Sequence, residues 1–164
     1  MKVINKQANS KMCLICGLEN QAGVKAPFYN MEDGSIVSIF QFSDSHQSFP
    51  GRTHGGMIAS MLDEVMGRAV WVHDASIYGV TTSMTIKFRK PVPYNTKLKA
   101  KAKVNTESSR FFTATGWIFD MQGNLLAEGE GNYMKLDHNK IVDNSVNLDE
   151  EICYIENDGV IDIE

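Results

Sequence analysis

Residues 54–73 read HGGMIASMLDEVMGRAVWVH, and this stretch decides the fold. At about 100° per residue, six of its apolar side chains fall on one face of a helix. These six are Ile58, Met61, Leu62, Val65, Ala69 and Val72. The other faces also carry apolar side chains, and a helix that is apolar almost all round is normally a buried one. The stretch predicts one long buried helix from Gly55 to about His73, with Thr53 as its N-cap.

The segments around this helix have the patterns of β-strands. Residues 36–42 alternate imperfectly between apolar and polar, and strand patterns return after the helix at residues 79–88, 97–104, 111–119 and 125–135. One helix and four or more antiparallel strands predict an α+β fold. A sheet with a helix on one face leaves little room to bury that helix all round. Either the sheet curls around the helix or a second subunit covers it.

Charge and composition divide the chain into three parts: an N-terminal arm (1–33), a domain (34–135) and an acidic tail (136–164). The arm is polar and contains glycine up to residue 26, which predicts irregular structure. The tail holds nine acids and one base, whereas the rest holds 15 bases and 11 acids. This mildly basic body suits an anionic small molecule but not nucleic acid. The tail is either partly disordered or adds a short element.

The chain of 164 residues is 43% hydrophobic and 22% charged, as is usual for one soluble globular domain. Its first residues show no apolar signal region, and no run approaches the roughly 18 apolar residues of a membrane span. We therefore expect a cytoplasmic protein that does not enter a membrane. An odd count of cysteines argues against a disulfide framework. Cys13 and Cys16 have the spacing of a zinc or redox motif, but no second pair completes four ligands. We predict no metal and interpret this pair as packing of the arm.

Two glycines at the start of a helix require a reason, because glycine costs about 1 kcal/mol there relative to alanine. Gly55 and Gly56 permit close approach of a ligand to the backbone N–H groups, and the helix dipole favours negative charge at that end. No Gly-Lys-Ser/Thr follows, so the segment is not a P-loop. His54 is either a structural hydrogen-bonder or a general base. The structural role is favoured, because no serine or cysteine nucleophile is identifiable as its partner.

The adjacent acids Asp63 and Glu64 have different surroundings. Glu64 has Arg68 four residues later, which predicts an ion pair on the helix. Asp63 has only small or apolar neighbours one turn away, and none is basic. An unpaired acid is costly to bury, and such residues cluster at functional sites. Asp63 is either a functional carboxylate, or an aspartate that is exposed or paired through the tertiary structure.

Three segments resemble hotdog-fold thioesterases of the phenylacetate-pathway (PaaI-like) group. They are residues 49–67 (FPGRTHGGMIASMLDEVMG), 13–23 (CLICGLENQAG) and 81–91 (TTSMTIKFRKP), and the match runs over about residues 13–135. The resemblance implies a hotdog fold, in which an antiparallel β-sheet is wrapped around one long central helix. It also implies a homodimer or homotetramer with active sites at the subunit interface.

The same resemblance implies hydrolysis of an acyl-CoA thioester, with no cofactor, since coenzyme A is part of the substrate. By position, Asp63 matches the catalytic carboxylate, which acts as general base or as nucleophile. The N–H group of Gly55 or Gly56 matches the donor to the thioester carbonyl, beside His54, and Thr81 matches a hydroxyl that orients water or the carboxylate. A polar residue before the His-Gly-Gly triplet is matched by Gln47 or Ser48.

The phosphates of coenzyme A require cations, and the candidates are Arg68, Lys87, Arg89, Lys90 and Arg110. The lysines at 97, 99, 101 and 103 are interpreted as a solvated strand face. The expected pocket walls are Met57, Met61, Met66 and Trp71. Two alternatives remain: a non-catalytic acyl-CoA or ligand-binding module on the same fold, and a dehydratase acting on acyl-carrier-protein substrates. The dehydratase ranks lower, because such enzymes require a catalytic histidine in a different loop, whereas His54 lies directly before Gly-Gly. The acyl group cannot be inferred from these residues.

Overall fold

The computed structural model describes residues 2–143, 145–153 and 163, and its centre is one long helix held in a curved antiparallel sheet. The helix α1 spans Gly55–Arg68. The sheet has seven strands in the order β1-β3-β4-β6-β7-β8-β5. Their bounds are β1 Val3–Lys6, β3 Tyr29–Met31, β4 Ile36–Phe40, β5 Tyr78–Phe88, β6 Leu98–Glu107, β7 Phe111–Asp120 and β8 Leu125–Leu136. Each of the five strands predicted from the sequence is present.

The helix is buried because the sheet curls around it. Strands β4 to β8 all contact α1, and Met61, Leu62, Val65 and Met66 are fully buried between them. A Cβ on Gly116 of β7 would lie 2.7 Å from Cγ of Met66, so only glycine lets the sheet approach this closely. This arrangement is a hotdog fold, as the resemblance implied.

Two details of the predicted helix are wrong. The α-helix ends at Arg68 and continues only as a 3-10 turn over Ala69–Val72. The N-cap is His54 rather than Thr53. Thr53 is buried, and its hydroxyl donates instead to the carbonyl of Pro93. This partner lies 40 residues away, so local spacing does not reveal it.

The N-terminal arm is irregular over residues 11–26, as predicted, but it also contains short strands. Its strands β1 and β3 extend the main sheet beyond β4, and β2 (Asn9–Ser10) pairs with β9 (Ile152–Cys153). These strands are only two to four residues long and form through distant backbone pairing, so they leave no alternation in the sequence.

The described part of the acidic tail adds short elements, namely a 3-10 turn over His138–Lys140, the helix α2 (Leu148–Glu151) and β9. Residues 144, 154–162 and 164 lie outside the described residues, and the expectation for that part of the tail stays a prediction.

Strand β5 ends the sheet. Its 11 residues form a ladder with β8 alone, and no strand among the described residues pairs with its other edge. A long unpaired edge normally invites another chain to add a strand. This edge also carries Thr81, one of the predicted site residues.

Candidate active site

The loop before α1 is fixed by His46, which is buried. Its Nδ1 accepts from the backbone N–H of Ser43 at 3.0 Å, so its Nε2 carries the proton and donates to the carbonyl of Ala22 at 2.8 Å. The carbonyl of His46 in turn accepts from the N–H of His54 at 2.8 Å. The loop therefore holds His54 at the entry of the helix.

His54 caps the helix by bonding the N–H group of one of the two glycines and not that of the other. Its Nδ1 accepts from the N–H of Gly56 at 2.9 Å, and its carbonyl accepts from the N–H of Met57. The N–H of Gly55 has no partner among the described residues. Gly55 therefore presents the open donor, and His54 has the structural position that the sequence favoured.

Asp63 has hydrogen-bond partners, and among the described residues it forms no ion pair. Thr81 of β5 donates its hydroxyl to Oδ1 of Asp63 at 2.7 Å. The hydroxyl of Tyr133 on β8 donates to the same oxygen at 3.2 Å and lies 3.3 Å from the carbonyl of Asp63. Both hydroxyls donate to Oδ1. The second carboxylate oxygen, Oδ2, has no hydrogen-bond partner among the described residues. The structure thus brings Asp63 and Thr81 together, as the resemblance implied.

Tyr133 is a site residue that the sequence analysis missed. Its side chain is 1% exposed and stacks on the ring of Phe112. Burial and the nearby charge of Asp63 raise the pKa of Tyr133, so its hydroxyl stays protonated and donates. A β-bulge between Thr81 and Ser83 sets Thr81 opposite Tyr133 in the ladder. One signal in the sequence could have identified Tyr133. It is the hydroxyl-bearing residue that follows Ala127, Gly129 and Gly131 on the inward face of β8.

Arg68 does not fit its predicted role as a phosphate ligand. Its Nε donates to Glu64 at 2.6 Å, which confirms the predicted ion pair. The guanidinium also donates to the carbonyl of Ala8 and to Sγ of Cys16, and Arg68 is only 7% exposed. These buried hydrogen bonds and the ion pair engage the guanidinium, so Arg68 is not available to a ligand on the surface.

The remaining predicted cations lie in different places. An open groove of about 300 Å³ beside Gly55 is lined by Arg89 and Lys90, and also by Arg52, which the sequence analysis missed. Arg89 is partly neutralised by an ion pair with Glu128. Lys87 lines a separate groove, which also contains Glu128, the ion-pair partner of Arg89. Lys87 does not line the groove beside Gly55, and its role as a phosphate contact stays a prediction.

Arg110 and the lysine stripe also lie away from this groove. Arg110 occupies the turn between β6 and β7, where its carbonyl accepts from the N–H of Lys135. In the stripe, Lys101 forms an ion pair with Asp33, and Lys103 donates to the carbonyl of Asp33. Two of the four stripe lysines thus have protein partners rather than water alone.

Gln47 and Ser48 are both exposed beside the His-Gly-Gly loop. Tyr94 donates its hydroxyl to Oε1 of Gln47 at 2.7 Å, and this bond orients the amide of Gln47. Among the described residues, no hydrogen bond uses the Nε2 group of Gln47. Gln47 is therefore the better-oriented donor of the two.

The expected pocket walls are mostly core. Met61 and Met66 are fully buried under the sheet, and Trp71 contacts the guanidinium of Arg68. Met57, near the start of α1, and Trp71 are partly exposed. A helix buried on nearly every side leaves few of its side chains to line a pocket.

The open N–H group and the carboxylate lie far apart within one chain. Gly55 and Asp63 are eight residues apart on one helix, which is about 12 Å along its axis. A thioester carbonyl oxygen and the water that attacks its carbon lie only about 3 Å apart, which is the range of reacting atoms. A single chain thus holds two halves of the candidate site, which are too far apart to contact the carbonyl oxygen and the attacking water of one thioester.

Residues 50–127 match the family model of the thioesterase superfamily. Mouse acyl-coenzyme A thioesterase THEM4 is 28% identical over 117 residues, which are 70% of this chain and 49% of that protein. The chain thus spans about half the length of this curated relative.

Two solved structures share the fold. A thioesterase superfamily protein is 26% identical with a TM-score of 0.68, over 74% of this chain and 59% of that chain. The E. coli PaaI protein from the phenylacetic acid degradation operon has 19% identity and a TM-score of 0.62, over 69% of this chain and 80% of that chain. In the part of this chain that the structure describes, no helix is both long and apolar enough to cross a membrane.

Proposed function

Because residues 50–127 of this chain match the family model of the thioesterase superfamily, we propose that the protein hydrolyses acyl-CoA thioesters. The observation that carries this proposal is the hydrogen bonding of Asp63. Two hydroxyls hold one oxygen of its carboxylate and leave the other free. The open N–H of Gly55 supplies the second requirement, a donor at a helix N-terminus. The cytoplasmic location and the absence of a cofactor stay predictions.

The reaction requires only water and the groups named above. In the general-base route, Oδ2 of Asp63 takes a proton from water, whose oxygen attacks the thioester carbon. The carbonyl oxygen becomes negative and is stabilised by the N–H of Gly55. The carbon–sulfur bond then breaks, and coenzyme A leaves as a thiolate that accepts the proton. Attack by Oδ2 on the carbon, through an anhydride that water later hydrolyses, uses the same geometry.

Since the two halves lie about 12 Å apart in one chain, we propose that the active protein is a homodimer. In a two-fold dimer formed through the free edge of β5, the Gly55 of one subunit faces the Asp63 of the other. The proposal rests on the unpaired 11-residue edge and on the position of Thr81 there. Arg52, Arg89 and Lys90 in the groove beside Gly55 are the proposed contacts for the phosphates of coenzyme A, and Gln47 is a further polar contact.

The activity is tested with a panel of short-chain, long-chain and aryl acyl-CoA thioesters, using detection of the free thiol. We expect release of coenzyme A from at least one class, and the preferred class identifies the acyl group. Tight binding of acyl-CoA without release of thiol would instead identify a binding module.

A shared site predicts complementation between two inactive variants. Asp63→Asn and Gly55→Pro carried on differently tagged chains are co-expressed, and the mixed dimer is purified through both tags. One of its two sites is then complete, so we expect about half of the wild-type activity. Either homodimer alone is expected to be inactive. A mixed dimer without activity would show that each subunit carries a complete site, and failure to purify one would contradict the dimer.

Removal of the Tyr133 hydroxyl is expected to slow hydrolysis without unfolding the protein. Phe keeps the stacked ring, whereas the hydrogen bond to the carboxylate is lost, which costs about 1.5 kcal/mol or about tenfold in kcat. Thr81→Val is expected to act in the same direction, with partial recovery in Thr81→Ser. Thr113→Val removes a hydroxyl that bonds only Thr106 on the outer face, and serves as the control. Unchanged kcat in both site variants, at unchanged melting temperature, would show that neither hydroxyl positions Asp63.

A further inference from the structure

Cys13 and Cys16 form a thiol pair that the proposed hydrolysis does not use. They lie in a tight turn closed by the N–H of Gly17, which donates to the carbonyl of Cys13 at 2.9 Å. A Cβ at position 17 would lie 2.4 Å from that carbonyl oxygen, so the turn requires glycine. The turn holds both sulfur atoms within 4.8 Å of each other and of a carboxylate oxygen of Glu64.

The two thiols differ in exposure. Cys16 is 1% exposed, whereas Cys13 is partly exposed. Backbone N–H groups of Ile15 and Cys16 point at the sulfur of Cys13, at 3.3 Å and 3.4 Å. A small oxidant from solvent therefore reaches the sulfur of Cys13 before it reaches the buried sulfur of Cys16.

The buried guanidinium of Arg68 sets the charge of the pair. Its Nη2 donates to Sγ of Cys16 at 3.0 Å, and the hydroxyl of Ser10 lies 3.4 Å from the same sulfur. A hydrogen bond from the Cys13 thiol and the charge of Arg68 lower the pKa of Cys16. The same bond, burial and the charge of Glu64 raise the pKa of Cys13. Arg68 thus stabilises the anionic form of the pair.

We propose that Cys13 and Cys16 are a redox pair, which a peroxide oxidises to an intramolecular disulfide and a thiol reductant restores. The geometry supports this role because the turn keeps the two sulfurs adjacent and Arg68 stabilises the anionic form of the pair. An adjacent resolving cysteine is typical of redox-sensing thiols.

The chemistry balances with hydrogen peroxide as the oxidant. Cys13 passes its proton to Cys16 and attacks one peroxide oxygen as a thiolate, so that the O–O bond breaks and Cys13 becomes a sulfenic acid. Cys16 then attacks the sulfur of Cys13, which forms the S–S bond and expels water with the proton of Cys16. The two sulfurs lose two electrons to the peroxide, and its other oxygen leaves as hydroxide, which becomes water with a proton from solvent.

A metal ion at this position is disfavoured by charge. Arg68 already donates to Cys16 and to Glu64, so its positive charge lies against two of the three donor atoms that a cation would need. Among the described residues, no fourth carboxylate, imidazole or thiol joins these three. The charge balance of the pair is thus supplied by the protein itself.

The test uses the full chain with Cys153→Ser, which removes the third thiol. After treatment with hydrogen peroxide, we expect the intact mass to fall by two hydrogen atoms, and a peptide map to show the 13–16 crosslink. Dithiothreitol should reverse both. In the added variant Cys16→Ser, Cys13 should instead accumulate sulfenic acid that reacts with dimedone. In Cys13→Ser, the buried Cys16 should stay unmodified.

The variant Arg68→Lys tests whether Arg68 promotes oxidation by stabilising the anionic form of the thiol pair. It keeps the charge but loses the hydrogen bond from Nη2 to Cys16, which weakens the anionic form of the pair, so we expect oxidation near pH 7 to be several-fold slower. Circular dichroism checks that the variant is folded, and the cysteine variants decide the proposal if it is not.

Three results would overturn the redox pair. Oxygen addition to Cys13 with Cys16 left free would show that the turn prevents the crosslink. A lack of any reaction would show that Cys13 is not accessible. Zinc that copurifies in equal amount and is released by thiol modification would identify a metal site instead.

Discussion

Replacement of Asp63 by asparagine is expected to lower kcat for acyl-CoA hydrolysis by about 10²-fold to 10⁴-fold, the usual contribution of a positioned base. Asparagine keeps an Oδ1 that accepts from Thr81 and Tyr133, so the side chain stays in place. The free oxygen, Oδ2, is replaced by an amide that neither takes a proton nor attacks carbon. The fold and the assembly are therefore expected to be unchanged.

The measurement is steady-state hydrolysis with free-thiol detection, together with melting temperature and size-exclusion chromatography. Glu64→Gln is the matched control, because it removes the neighbouring acid on the same helix. Loss of the ion pair with the buried Arg68 should lower the melting temperature, while kcat of the folded protein is retained. If Asp63→Asn kept nearly full activity, Asp63 would not be the catalytic acid.

Replacement of Gly55 by proline is expected to lower kcat by about 10²-fold to 10³-fold, as the loss of one oxyanion donor does in other enzymes. Proline removes the N–H group but suits the first position of a helix. The preceding residue, His54, is already extended at φ −63° and ψ 135°, which is the conformation required before proline. The variant therefore deletes one donor and preserves the helix.

Gly55→Ala is the control for this change, since it keeps the N–H group. A Cβ at position 55 would lie 3.6 Å from the ring of Phe88, which is ordinary contact, so alanine fits. We expect Gly55→Ala to retain most activity and Gly55→Pro to lose it at similar melting temperature. Equal activity in the two variants would exclude the N–H of Gly55 as the oxyanion donor. Similar losses in both would assign the role of Gly55 to space rather than to its N–H.

The sequence by itself determined the elements that depend on nearby residues. Periodicity identified the buried helix and the five long strands, because amphipathic patterns follow from the geometry of each element alone. It also separated Asp63 from Glu64, since an ion pair at i and i+4 needs only the helix. The residues of the His-Gly-Gly segment also carried the resemblance to hotdog-fold thioesterases.

Only the tertiary structure decided which groups the site contains. The sequence analysis did not find Tyr133, which lies 70 residues from Asp63. A β-bulge in β5 places Thr81 opposite Tyr133, and the alternation of residues in the sequence does not reveal this bulge. The sequence analysis expected Arg68 and Lys87 at the phosphates, yet Arg68 is buried against the arm, and Lys87 lines a groove separate from the one beside Gly55. These outcomes depend on strand register and on contacts between distant segments, which become fixed only when the sheet closes around the helix.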